Sequence, residues 1–111
     1  MSTSSIDHAV FSDLQQTAGA EFVVELVDTF IEEAPSMLAE MRASLAAGAA
    51  DRFRRAAHSL KSNAQTFGAT ALAAQARVLE LGGLPADALG IDAAQAEFAT
   101  VAAQLKEMTR G

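Results

Sequence analysis

Apolar residues recur at intervals of three and four along most of this chain, the spacing of helices that each bury one side. Asp7 can cap a short first helix that carries Val10, Phe11 and Leu14 and ends near Gly19. From Glu21, the residues Phe22, Val23, Leu26, Val27, Phe30 and Ile31 form an apolar series, with Glu25, Asp28, Glu32 and Glu33 on the other side. Pro35 interrupts the pattern. Proline is tolerated in a first turn and breaks or kinks an interior one. Either a new helix therefore starts there, carrying Met37, Leu38, Met41 and Leu45 as far as Gly48, or the earlier helix continues with a kink.

Asp51 opens the next helix with a carboxylate at its positive end, and Gly68 supplies a residue suited to stopping it. At about 100° per residue, Phe53, Ala56, Ala57, Leu60, Ala64 and Phe67 fall on one face of that helix, which packs inward. Thr70 begins a further element with Leu72, Ala76 and Leu79 inward, closed by Gly82 and Gly83. Residues 84–90 read as the longest connection. Asp92 can then cap a last helix, with Gln95 completing a capping-box-like pair and Ile91, Ala94, Phe98, Val101, Leu105 and Met108 as its stripe. Helices of this length cannot bury their stripes alone. The expected fold is all-α, an antiparallel four-helix bundle with one or two additional short N-terminal helices. Residues 1–111 should form a single domain, with 1–6 a flexible N-terminus.

Composition agrees with that class: the chain has 111 residues, half of them hydrophobic, enough for one core and too few for a nucleotide-binding kinase domain besides. There is no cysteine, which excludes a disulfide framework and a thiolate metal site and fits a reducing compartment. No basic and apolar leader opens the sequence, and no run approaches the ~20 apolar residues needed to cross a bilayer, so a soluble, cytoplasmic protein without membrane contact is expected. The net charge of −6 argues against nucleic acid as a partner. Its distribution is uneven. Arg52, Arg54, Arg55, Lys61 and Arg77 are the five bases of residues 52–77, a stretch that contains no acid. A solvated helix face would account for such clustering, unless the histidine in its midst gives it a purpose.

That histidine is His58. It lies roughly 140° from the centre of the apolar face of its helix, with Arg54, Lys61 and Ser62 one turn away and Gln65 two turns on. A structural histidine would sit on the buried stripe; this one should point outward, beside fixed positive charge that favours an anion. Other chemistries find no support. His8 and His58 are the only histidines, no Glu-x-x-His occurs, and a di-metal centre is not expected. Phosphate-cradling glycine motifs and the GxSxG elbow are absent. The methionines at 37, 41 and 108 fall on apolar stripes and read as core. His8 reads as a surface residue without a role.

The segment HSLKSNAQTFG, preceded by alanines, resembles the signature of the histidine-containing phosphotransfer (HPt) domains of multistep two-component relays. In that pattern a histidine is followed by x-hydrophobic-Lys-Gly/Ser-Ser/Asn, with a glycine ten residues after it. His58, Lys61, Ser62, Asn63 and Gly68 match position by position. Serine replaces the commoner glycine at position 62 and is also small. The resemblance, which extends in helix order over residues 7–109, implies an antiparallel bundle with the histidine exposed midway along one helix. It also places Glu80 where the family often has Gln or Glu from the facing helix holding the imidazole.

What the resemblance implies is a phosphoryl carrier. Histidine, with a free-peptide pKa of about 6.5, is largely neutral at pH 7 and can attack a phosphoryl group held as an acyl phosphate on a partner aspartate. His58 would be the phosphoacceptor, Lys61 would offset charge on the phosphoryl oxygens, Glu80 would fix the ring tautomer, and Ser62 would keep the approach clear. Arg54, Gln65 and Gly68 are candidate binding residues. Expected partners are response-regulator receiver domains and a hybrid sensor histidine kinase, with the chain itself a monomer that needs no cofactor or metal. It would have no ATP-dependent kinase activity of its own. The competing expectation is a helical adaptor that docks an acidic partner without phosphorylation.

Overall fold

The computed structural model describes residues 5–84 and 88–109. Five helices and no strand lie among these: α1 (His8–Ala18), α2 (Ala20–Ala47), α3 (Ala50–Thr66), α4 (Thr70–Gly82) and α5 (Ala88–Met108). Helices α2 to α5 close a ring in which each packs on the next and α5 returns to α2, while α1 lies across α2 and α3. The links of two and three residues that join α2 to α3 and α3 to α4 make these neighbours antiparallel. The all-α bundle expected from the apolar spacing is the fold observed, with one short N-terminal helix.

Only one is added because α2 runs unbroken through Pro35. Of the two outcomes open at the proline, continuation is realised. Val23, Val27, Phe30, Ala34, Leu38 and Met41 are all buried on one stripe whose phase does not change at residue 35. An interior proline costs about 3 kcal/mol, and each large apolar side chain buried beyond it returns about 1.5–3 kcal/mol. Leu38 and Met41 together therefore outweigh the lost hydrogen bond. Pro35 itself is exposed, so the ladder is interrupted on the solvent side. The same stripe corrects the expectation for Phe22, which falls about 120° from its centre and is 51% exposed.

The last helix also differs from expectation. α5 starts at Ala88, so residues 88–90 are helical and Asp92 lies within the helix instead of capping it. Asp92 and Gln95 serve another purpose: both accept hydrogen bonds from Arg42 Nη2, at 2.7 and 2.6 Å, and so tie α5 to α2. Residues 85–87, which belong to the predicted connection, lie outside the described residues. The stripe itself is as expected, with Ile91, Ala94, Phe98, Val101 and Leu105 buried and Met108 partly so. In the core, Phe30 of α2 packs on Phe67 at the end of α3 (ring centroids 5.2 Å apart) and edge-on to Phe98 of α5 (5.5 Å).

At the N-terminus, Asp7 caps α1 as predicted, its Oδ1 accepting from the amides of Ala9 and Val10. Of residues 1–6, expected to be flexible, 1–4 lie outside the described residues, whereas Ile6 is 2% exposed and the Ser5 amide donates to Gln104 Oε1. The Asp7 amide donates to the Gly68 carbonyl at 2.7 Å, joining α1 to the turn after α3. That turn depends on glycine. Gly68 has φ +77°, and a Cβ there would lie 2.8 Å from the Asp7 carbonyl oxygen and 3.0 Å from Val10 Cβ.

Gly68→Ala should accordingly cost about 2 kcal/mol or more, combining left-handed strain of about 1–2 kcal/mol with a collision against backbone. Urea unfolding would show a lower midpoint at unchanged slope. A variant as stable as the wild type would mean that the turn has another way to close.

Candidate functional site

Helix α3 carries the histidine, and its rotation is set from below. Phe53, Ala57, Leu60 and Ala64 are completely buried, and Ala56 nearly so, which turns the opposite strip outward. His58 stands on that strip with 56% of its side chain exposed. Across the groove, Leu72, Ala76 and Leu79 bury the inner side of α4 and bring Glu80 of that helix up beside the ring.

The three side chains meet in one chain of contacts. His58 Nδ1 lies 2.7 Å from Glu80 Oε2, and Lys61 Nζ lies 2.7 Å from Glu80 Oε1. Glu80 is 13% exposed and Lys61 19%, so the ion pair is largely withdrawn from water while the imidazole is not. The Lys61 ammonium holds the Glu80 carboxyl below the usual carboxylate range; partial desolvation opposes this, and the hydrogen bond from His58 adds to it. Glu80 is thus ionised at neutral pH and can only accept. The Nδ1 of His58 must therefore carry the proton it donates, and in the neutral ring the lone pair is left on Nε2. A nucleophilic nitrogen on an exposed ring, oriented through its other nitrogen by a carboxylate, is the chemistry that the arrangement permits.

The remaining predicted residues are placed less centrally. Ser62 and Gln65 are exposed on the same strip of α3, one and two turns beyond the histidine. Arg54 lies one turn before it, 57% exposed, with Nη2 at 3.7 Å from Asp51 Oδ1. Gly68 is buried in the turn and acts through backbone. Asn63 turns back on its own helix, donating to the Ser59 carbonyl. The basic cluster is partly neutralised, since Arg52 pairs with Glu40 at 2.7 Å. Arg55 donates from Nε to the Asp51 carbonyl at 3.4 Å; neither it nor Arg77 meets a carboxylate among the described residues.

The Lys61–Glu80 pair was not foreseen, because Lys61 was assigned to an incoming anion. A signal for it exists in the sequence. Glu80 is the sole acid between Asp51 and Asp87, and all five bases of that span precede it. No helix among the described residues is long and apolar enough to cross a membrane. Nor do three or more His, Cys, Asp or Glu side chains gather there as a metal site.

Two titrations probe the pair. Lys61→Ala should raise the midpoint of the Glu80 carboxyl, followed by NMR of its carboxyl carbon; an unmoved midpoint would show that Lys61 does not set it. Because the folded value is depressed, the contribution of Glu80 to stability is present above the ordinary carboxylate pKa and is lost as pH falls through the folded one. Measured in a His58→Gln background, where no ring proton couples to the carboxyl, the stability difference made by Glu80→Gln should therefore be level near neutrality and change only in the acid range, at and below the usual carboxylate value.

The arrangement has counterparts among known proteins. The crystal structure of histidine-containing phosphotransfer protein B (HptB) from Pseudomonas aeruginosa PAO1 is similar to this chain with a TM-score of 0.87 and 31% sequence identity, over 97% of this chain and 96% of that one. No curated protein sequence matches. The model of the Hpt domain matches residues 25–108, a span that contains His58, Lys61 and Glu80. Most of the sequence and the whole bundle thus agree with one family, and the chain belongs to the Hpt domain family.

Proposed function

We propose that this protein is a phosphoryl carrier that passes a phosphoryl group between receiver-domain aspartates in a multistep two-component phosphorelay, with His58 as the acceptor. The observation that carries the reading is the Glu80–His58 hydrogen bond, which holds the proton on Nδ1 and leaves Nε2 of an exposed ring as the nucleophile. Membership of the Hpt domain family supports it.

In the forward step, the Nε2 lone pair attacks the phosphorus of an aspartyl phosphate, the N–P bond forms, the bond from phosphorus to the aspartyl oxygen breaks, and the aspartate leaves as a carboxylate. The neutral ring becomes a phosphoimidazolium without losing its Nδ1 proton. Glu80 faces that proton and stabilises the positive charge that develops on the ring. The return step is the reverse, with neutral imidazole as leaving group. An ammonium has three donors, of which Lys61 directs one to Glu80, so the others can meet phosphoryl oxygens. Small Ser62 leaves room for the partner, and Arg54 adds positive charge one turn away. Partners in this reading are receiver domains and a hybrid sensor kinase. The protein is a substrate and donor in turn, and the energy of ATP enters through the kinase.

Incubation with a phosphorylated receiver should label the protein with phosphate that is labile in acid and stable in alkali. His58→Gln should take up none while keeping its helicity and melting temperature, since the exposed ring contributes little to the core. Full labelling of that variant would sink the reading, and absence of label in the wild type would favour an adaptor that only docks. Lys61→Ala should slow single-turnover transfer by about one to two orders of magnitude, or ~1.4–3 kcal/mol of transition-state stabilisation. Equal rates would assign the lysine to docking or solubility.

A further inference from the structure

Helix α4 is apolar on two sides. Leu72, Ala76 and Leu79 enter the core, yet Ala71, Ala74, Val78 and Leu81 recur at intervals of three and four on the side turned to solvent. Val78 is 71% and Leu81 70% exposed, more than any other large hydrophobic among the described residues. Between them and the groove over α3 stands Arg77, exposed and without a carboxylate partner among the described residues. Ala74 and Arg77 line a shallow groove together with Gln65 and Gly68 of the α3 end. The outer face of α4 is therefore continuous with the strip that carries His58, and Leu81 directly follows Glu80.

We infer that this face extends the docking surface for the receiver domain, which lays apolar side chains on Val78 and Leu81 and an acidic group on Arg77 while its aspartate meets His58. The inference rests on the phosphotransfer reading. Charge complementarity favours it: in a chain of net charge −6, Arg77 on this face meets no carboxylate among the described residues and Arg54 on the histidine strip stands 3.7 Å from its only acid, whereas Arg52 and Arg55 turn to the groove against α2, so an acidic partner is drawn to the side of the histidine that α4 borders. A second copy of the chain fits less well. Stable dimers bury about 800 Å² on each partner, more than four small and medium side chains on one short helix can supply. A two-fold antiparallel pairing centred on this stripe would also bring the two Arg77 side chains together.

Three proteins test it: the wild type, the doubly substituted Val78→Ser and Leu81→Ser variant, and Arg77→Glu. All these positions are exposed, so the fold should persist, as circular dichroism would verify. Transfer is measured from increasing concentrations of the phosphorylated receiver, taken from the chain's own organism, that labels the wild type fastest. Direct labelling by phosphoramidate, a small phosphoryl donor, reports on His58 alone. Each variant should raise the half-saturating receiver concentration about tenfold, with the limiting rate and the phosphoramidate labelling within about twofold of wild type. Unchanged receiver dependence would overturn the inference. So would slower phosphoramidate labelling, which would place the effect on His58 itself, or a wild-type dimer in sedimentation that the serine variant dissolves, which would assign the face to a second copy. If phosphoramidate labels the wild type and no receiver does, the phosphotransfer reading fails and this surface with it.

Discussion

The rotation of α3 about its own axis is the constraint on which this molecule depends. Phe53, Ala57, Leu60 and Ala64 have no exposed surface, and each is held by side chains from the flanking helices. Turning the helix by one residue, about 100°, would drive a polar ring into the core and expose Leu60. Burial of large apolar side chains contributes about 1.5–3 kcal/mol apiece, so a few of them suffice to exclude the alternative. Small Ala57 and Ala64 are fully buried beside the large residues, and α4 approaches α3 closely enough for one of its side chains to reach across.

That approach converts packing into electrostatics. Glu80 would be an ordinary surface acid if α4 stood farther off; instead its two oxygens are divided between His58 and Lys61. Lys61 lowers the pKa of Glu80 against partial desolvation, ionised Glu80 accepts the proton of Nδ1, and the lone pair of the neutral ring is then left on Nε2. The sequence of effects runs from a half-buried lysine–glutamate pair outward to an exposed nitrogen. Similarity of the whole bundle to HptB shows that this scaffold tolerates wide sequence change, since only 31% of positions are identical at a TM-score of 0.87.

Much of the fold was legible because helical spacing is a direct consequence of burial. The six residues assigned to the inner face of α3 are all buried, and His58 is outward as its angle required. Asp7 caps α1 because a side-chain carboxylate before a helix has unpaired amides within reach. The failures have equally local causes. Pro35 was ambiguous because proline reports on the backbone, while the decision was taken by Leu38 and Met41 continuing the stripe in phase. Asp92 looked like a cap because caps and interior salt-bridging acids share a residue type; its partner, Arg42, lies fifty positions away. Phe22 was counted inward because a run of apolar residues hides which of them lies off the stripe. Within the site, Glu80 and His58 are joined in the sequence only by resemblance, and the turn of Lys61 to the same carboxylate is signalled only by Glu80 being the sole acid between Asp51 and Asp87.

The central claim is that Glu80 holds the His58 proton on Nδ1 and so reserves Nε2 for phosphorus. Long-range proton–nitrogen correlation on protein with ¹⁵N-labelled histidine reads both nitrogens at once, before and after phosphorylation by a receiver. The account predicts the Nδ1–H tautomer for neutral His58 in the free protein and phosphorus on Nε2 in the product. An Nε2–H tautomer, or phosphorus on Nδ1, would contradict it.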